Sequence, residues 1–436
     1  MKPTEFAKRR KQLMRMIGDT GIAVLPSAPV KLRSRDVAYR YRQDSDFYYL
    51  TGFPEPNAVA VLAPGRPSGE YVLFCRERDR EKEQWDGLRA GQEGAVADYG
   101  ADDAFPIEDI DDILPGLLES RSRVYYTMGM YPDFDRRVTE WIKSLRSRGA
   151  AGIHAPQEFV ALDHLLHDMR LYKSRAEISA MRRAAKIAVA AHRRAMGRIR
   201  PGLFEYEIEA EYLHEFRRHD ATVSYSPIVG GGANACILHY IENDAELQDG
   251  DLLLIDAGCE YDYYASDVTR TVPVSGRFSP EQRALYEIVL DAQSAAIDKT
   301  REGNHWNEPH DAAVRVITKG LRKLGLLDGS VPKLVKSGAY RQFYMHRTGH
   351  WLGMDVHDVG DYKVGDEWRL LETGMVTTVE PGIYVAGKSK VPARWRNIGI
   401  RIEDDVVVTR DGPDVLSKGL ASDPDEIEHL MAKAGA

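Results

Sequence analysis

The chain has 436 residues, more than one hydrophobic core usually serves, so two domains are expected. Its 43% hydrophobic and 29% charged residues and net charge of −8 fit an ordinary globular protein and give no footprint for nucleic acid or a membrane surface. No apolar run reaches the ~20 residues that span a bilayer, and none long enough for a signal peptide follows the basic N-terminus. Cys75, Cys236 and Cys259 sit within or beside apolar stretches and read as buried thiols, so a cytoplasmic protein is expected.

In chain order, residues 3–18 read as a helix with Phe6, Leu13, Met14 and Ile17 on one face. Strands are expected over 21–25, 47–52, 58–62 and 71–75. A helix over 110–119, a strand over 123–127 and a helix over 134–146 continue the alternation, giving a mixed α/β domain over residues 1–172. Ser174 and Glu177 form a capping box that opens a long helix, stopped at Pro201-Gly202. After a helix over 204–219, Gly230, Gly231 and Gly232 give a partial dinucleotide fingerprint. Strand-like residues 236–240 follow in place of a helix, and no Lys-Ser/Thr pair appears, which sets nucleotides aside. Beyond a hairpin over 252–272 come helices over 279–298 and 308–324, a loop-like stretch over 333–338, and strands over 376–379, 382–385 and 398–409.

The hairpin carries Asp256 and Asp267. A turn centred on Tyr261 and Asp262 sets these two carboxylates directly opposite, with Cβ atoms roughly 4.5–5.5 Å apart. Like charges so opposed are destabilising unless a cation lies between them, so the hairpin reads as half of a metal site. The plain alternative is two solvated carboxylates on a slipped register. Matching donors lie downstream. His346 and His350 are spaced as in the helical zinc-protease motif, but the Glu of that motif is missing and Gly349 intervenes. Glu380 ends a β-rich run before Pro381-Gly382. Alternation puts Arg401 and Glu403 on one face, and His239 closes the strand-like stretch. Singly, these read as a hydrogen-bonded core histidine or a structural ion pair. Together, Asp256, Asp267, Glu380 and Glu403 balance two divalent ions, with His350 as a neutral ligand. Such a donor set suits Mn²⁺, with Co²⁺ or Zn²⁺ as alternatives.

The stretches I-D-A-G-C-E-Y, D-V-T-R-T, H-W-L-G-M-D-V-H-D and T-V-E-P-G-I-Y resemble the Xaa-Pro aminopeptidases (aminopeptidase P), metallopeptidases of the pita-bread fold. The likeness runs from Y-R-Q-D-S-D-F-Y-Y-L-T-G-F to I-G-I-R-I-E-D-D. It implies a pita-bread catalytic domain over residues 173–436, after an N-terminal domain serving oligomerisation and substrate access. It implies that Asp256, Asp267, His350, Glu380 and Glu403 ligate two metals, with Asp267 and Glu403 bridging. Glu380 would also handle protons, with His239, His357 and Arg401 around the substrate and Tyr384 close by. Trp85 would reach a neighbouring subunit's site in a homo-oligomer, a dimer or tetramer. The implied reaction is hydrolysis of the N-terminal Xaa-Pro bond of peptides by a metal-bridging hydroxide. One departure is H-R-T-G-H, where Arg347 and Thr348 replace small and aliphatic residues. Prolidase, restricted to dipeptides, is the nearest rival. Methionine aminopeptidase does not ordinarily carry such an N-terminal domain, creatinase-like relatives lack these ligands, and a non-catalytic peptide-binding relative would be expected to lose some. The segment 41–53 and Trp85 read as an open wall that lets a peptide run on past proline.

Overall fold

The computed structural model describes residues 1–434. They fall into two compact units, Met1–Met169 and a second that begins at Arg170.

The first unit is a six-stranded sheet in the order Asp103–Pro106, Tyr71–Cys75, Val59–Leu62, Gly21–Pro26, Arg123–Tyr125, Glu158–Val160. Val59–Leu62 runs antiparallel to both neighbours and the other pairings are parallel. Its central strands are buried along almost their whole length, which is why they are continuous apolar runs. The helices Ile110–Leu118 and Pro132–Ser147 pack Leu114, Trp141 and Leu145 into the core with Val24, Val61 and Phe74. The strand expected over 47–52 is instead a helix, Ser45–Thr51. Asp44 accepts from Phe47 N at 2.9 Å, Gly52 closes the helix in the left-handed conformation, and Arg9 and Arg10 donate to the Tyr49 and Leu50 carbonyls. Caps at both ends and burial of Phe47 and Leu50 override the aromatic preference for strands.

In the second unit the helices Arg175–Met196 and Glu205–Arg218 pack together, as do Pro280–Lys299 and Glu308–Lys323. Ser174/Glu177 and Ser279/Gln282 form reciprocal capping boxes. The helices share one core with strands Leu252–Asp256, Thr269–Pro273, Gly382–Val385 and Ile398–Arg401. Residues 331–337, expected in part as loop, form a helix ended by Gly338 in the left-handed conformation.

Three departures bear on the site. The hairpin turns at Asp262 and Tyr263, both at positive φ, so Tyr261 faces Tyr264 and Asp256 faces Thr269, not Asp267. The pairing is offset by two residues, which keeps Asp256 and Asp267 on the same face because side chains alternate with period two. Residues 236–240 are not strand-like. A 3₁₀ helix, Gly232–Cys236, begins at Gly232 with φ of +50°, and His239 lies in the turn after it. No α-helix opens there, so the nucleotide reading stays set aside. Finally, the expected run over 398–409 breaks into Ile398–Arg401 and Asp404–Thr409, which belong to different sheets.

Candidate metal centre and active site

Each acidic side chain comes from a place where regular pairing stops. Asp256 ends its strand, and Asp267 lies just before Thr269–Pro273. Glu380 follows Val376–Val379, with its N–H on the Thr348 carbonyl at 2.8 Å. Glu403 sits in the break between two strands, its N–H on the Thr269 carbonyl at 3.1 Å. His350 belongs to a segment without helix, as its glycines lead one to expect. A Cβ on Gly349 would lie 2.1 Å from the Thr378 carbonyl oxygen, so this approach requires glycine. His350 N donates to Thr378 Oγ1 at 3.1 Å, and Thr378 N returns a bond to the His350 carbonyl at 3.0 Å.

These elements converge on a cavity of about 550 Å³ lined by Asp256, Asp267, His350, Glu380, Glu403, His239, His357 and Arg401. Donor atoms of Asp267, His350 and Glu403 lie within 4.8 Å of one another. His350 Nε2 is 3.3 Å from Asp267 Oδ2 and 3.7 Å from Glu380 Oε1. Its Nδ1 lies 3.0 Å from the Trp351 carbonyl, a bond that leaves Nε2 free to ligate. Arg401 Nη2 donates to Asp256 Oδ2 at 2.6 Å and Nη1 to the Tyr384 hydroxyl at 2.9 Å. Thr269 Oγ1 donates to Glu403 Oε2 at 2.6 Å. The His357 ring stands 4.3 Å from that of His350. Trp85 belongs to the first unit and is 88% exposed.

Two further residues carry contacts the sequence did not single out for this role. The Tyr225 hydroxyl lies 2.5 Å from both Asp256 Oδ1 and Asp267 Oδ1. His346, weighed above only as half of a zinc motif, lines the same cavity. Its Nε2 is 2.9 Å from the Tyr384 hydroxyl and its Nδ1 is 3.6 Å from Glu380 Oε2. Its place one residue before Arg347, four before His350, was the available signal; Tyr225 offered none.

The electrostatics are those of a crowded acidic site. Burial pushes Glu380 up to about 7, outweighing the pull of His350 and Arg401, and repulsion from Asp267 and Asp256 adds a smaller push in the same direction. Burial and the other three carboxylates hold Glu403 well above the ordinary range, and burial raises Asp256 as well. Burial acts the same way on Asp267, but bonds from His350 and Tyr225 bring it below the usual value. His350 is raised to about 9: burial disfavours its charge, and Asp267 and Glu380 more than offset that. Four carboxylates beside one guanidinium and one imidazole cannot all ionise comfortably. Divalent cations remove that conflict, and the oxygen-rich donor set with one imidazole fits them.

Residues 179–410 match the family model for metallopeptidase family M24, and residues 6–125 match that for the aminopeptidase P N-terminal domain. The Xaa-Pro aminopeptidase of Escherichia coli K12 is 46% identical over 99% of this chain and 98% of its own length. An aminopeptidase of Pseudomonas aeruginosa, PepP, superposes with a TM-score of 0.99 at 62% identity, covering 100% of this chain and 99% of that one. Zinc-substituted E. coli aminopeptidase P in complex with product superposes at 0.97 and 45% identity, covering 100% and 99%. Similarity at this level over the whole length, with a metal-suited acidic cluster inside the matched region, places the chain in the Xaa-Pro aminopeptidases of metallopeptidase family M24, metal-dependent hydrolases that cleave the N-terminal Xaa-Pro bond of peptides.

Proposed function

We propose that Asp256, Asp267, His350, Glu380 and Glu403 hold two divalent ions, Mn²⁺ in the cell, with Co²⁺ or Zn²⁺ able to substitute. Asp267 and Glu403 serve both ions, and peptides longer than dipeptides are the preferred substrates. The observation that carries this reading is the gathering of four carboxylates, three of them buried, around one imidazole in a single cavity.

When bound, two such ions supply a hydroxide at neutral pH and offset the charge that develops on the scissile carbonyl oxygen. The chain's own groups do the rest. Glu380 takes the proton of the attacking water and passes one to the proline nitrogen as the C–N bond breaks. His239 and His357, both exposed in the cavity lining, donate hydrogen bonds to the oxyanion and the substrate backbone. Arg401 holds Asp256 and the Tyr384 hydroxyl in place, and Tyr384 in turn steadies His346 beside Glu380. Proline matters because its amide has no N–H and fixes the preceding residue in an extended form.

The first 172 residues serve assembly and substrate access in a dimer or tetramer. Supporting this, Trp85 lies on a helix with no buried residue and presents a large apolar ring. The three free cysteines accord with a cytoplasmic setting, and among the described residues no helix is long and apolar enough to cross a membrane. The decisive experiment is a kinetic panel of Xaa-Pro dipeptides against Xaa-Pro-Yaa peptides, run with metal-titrated enzyme. Higher kcat/KM on the longer peptides and saturation at two ions per chain are expected. A preference for dipeptides moves the chain to the prolidases.

A further inference from the structure

Arg347 is one of the two positions where H-R-T-G-H departs from the small and aliphatic residues expected. It directly follows His346 and lines the catalytic cavity, and its side chain is exposed. The guanidinium carbon lies 4.9 Å from the centre of the Trp368 ring, which lines the cavity too. Lys363 Nζ lies 4.8 Å from the same ring, from the facing strand of the Lys363–Val364 and Glu367–Trp368 hairpin.

Trp368 packs against a cluster in which Trp351 and Tyr362 stack and Trp306 is tilted against both, and its carbonyl lies 2.7 Å from His305 Nδ1. Two cations therefore lie against one aromatic ring, which attracts each of them. Among the described residues neither cation has a carboxylate within ion-pair distance. The hairpin's own acids, Asp366 and Glu367, pair with neither.

We propose that Arg347, assisted by Lys363, is a specificity-determining residue that recognises a carboxylate on the substrate beside the Xaa-Pro pair. A guanidinium free of other partners offers the planar fork that a carboxylate fits. That carboxylate is supplied by an acidic residue before proline, by one after it, or by the peptide's own C-terminus. The inference rests on the substrate reading above and narrows it to acidic peptides.

The test uses metal-loaded enzyme and three sets of peptides. One varies the first residue through Glu, Ala and Lys, one varies the third residue likewise in C-terminally amidated peptides, and one compares a free with an amidated C-terminus. In at least one set the carboxylate form should lead in kcat/KM by about two- to fivefold, the range of an exposed ion pair, and added salt should shrink the lead. R347Q should erase that lead, R347E should invert it toward lysine, and K363Q should reduce it. These are ratios within one enzyme, so a loss of folded protein does not move them. Equal rates for Glu and Lys in every set, or a preference unchanged in R347E, overturn the inference while Xaa-Pro cleavage stands. Absence of Xaa-Pro cleavage overturns the reading beneath it as well.

Discussion

Asp256, Asp267, Glu380 and Glu403 stand at strand ends or in a break between strands, whereas His239, His346 and His357 stand on turns and irregular segments of the same cavity. Asp256, Asp267 and Glu403 are at most 9% exposed, and each is bound by a named partner: Arg401 and Tyr225, Tyr225 and His350, and Thr269. His239 and His357 are exposed. The contrast teaches a division of labour. The carboxylates that must hold charge at fixed spacing are anchored at strand ends, while His239 and His357, proposed to meet the peptide, are carried on turns and irregular segments.

The largest effect should come from breaking the anchored side. Glu403→Ala removes a carboxylate proposed to serve both ions, so metal content by elemental analysis should fall together with activity, the latter to background. Full metal occupancy in this variant would show that Glu403 is not a ligand. On the peptide-facing side, His239→Ala and His357→Ala should keep their metal and lose on the order of 10²–10³ in kcat, the usual cost of a lost oxyanion donor. Near-normal turnover in both would make these histidines bystanders.

Tyr225 sharpens the comparison, since it serves the anchored side without being an expected ligand. Tyr225→Phe deletes only the hydroxyl between Asp256 and Asp267, and metal affinity should weaken by about 10- to 100-fold, as for other outer partners of ligands. Metal titration followed by activity measures this. An unchanged titration would leave the hydroxyl a packing feature.

The smallest effect concerns stability without metal. Glu380 and His350 bind protons more tightly folded than unfolded, from ordinary values of 4.5 and 6.5 up to about 7 and about 9. Stability from such groups is fully present below the unfolded values and is lost as pH rises through the folded ones. The Tm of chelator-treated protein should therefore fall between roughly pH 5 and 9, and added metal should flatten that slope because ligation requires the deprotonated carboxylates. A rising Tm over that window in metal-free protein would contradict the crowding described for the acidic cluster.

Much of this site was legible in the order of residues along the chain. Carboxylates next to strand signals, the capping boxes of Ser174 and Ser279, and the supply of one imidazole and four acids suited to two divalent ions follow from residue type and spacing, whereas the ligand set itself came from the family resemblance. The register was not legible, because Asp262-Tyr263 adopts two positive φ values without the Asn-Gly or Asp-Gly signal that normally marks such a turn. Nor was the helix Ser45–Thr51, whose local composition favours a strand and whose caps and burial decide otherwise.

The sequence by itself determined which side chains could ligate metal; Asp256 and Asp267 share a face because the offset of their strands is an even two residues, where a slip of one would have turned one of them away. Only the tertiary structure decided what touches them. Tyr225 reaches Asp256 and Asp267 across 31 and 42 residues of chain, and Arg401 reaches Asp256 across 145. Local propensity and periodicity act over a few residues, so contacts of that separation are written only in how helices and sheets pack.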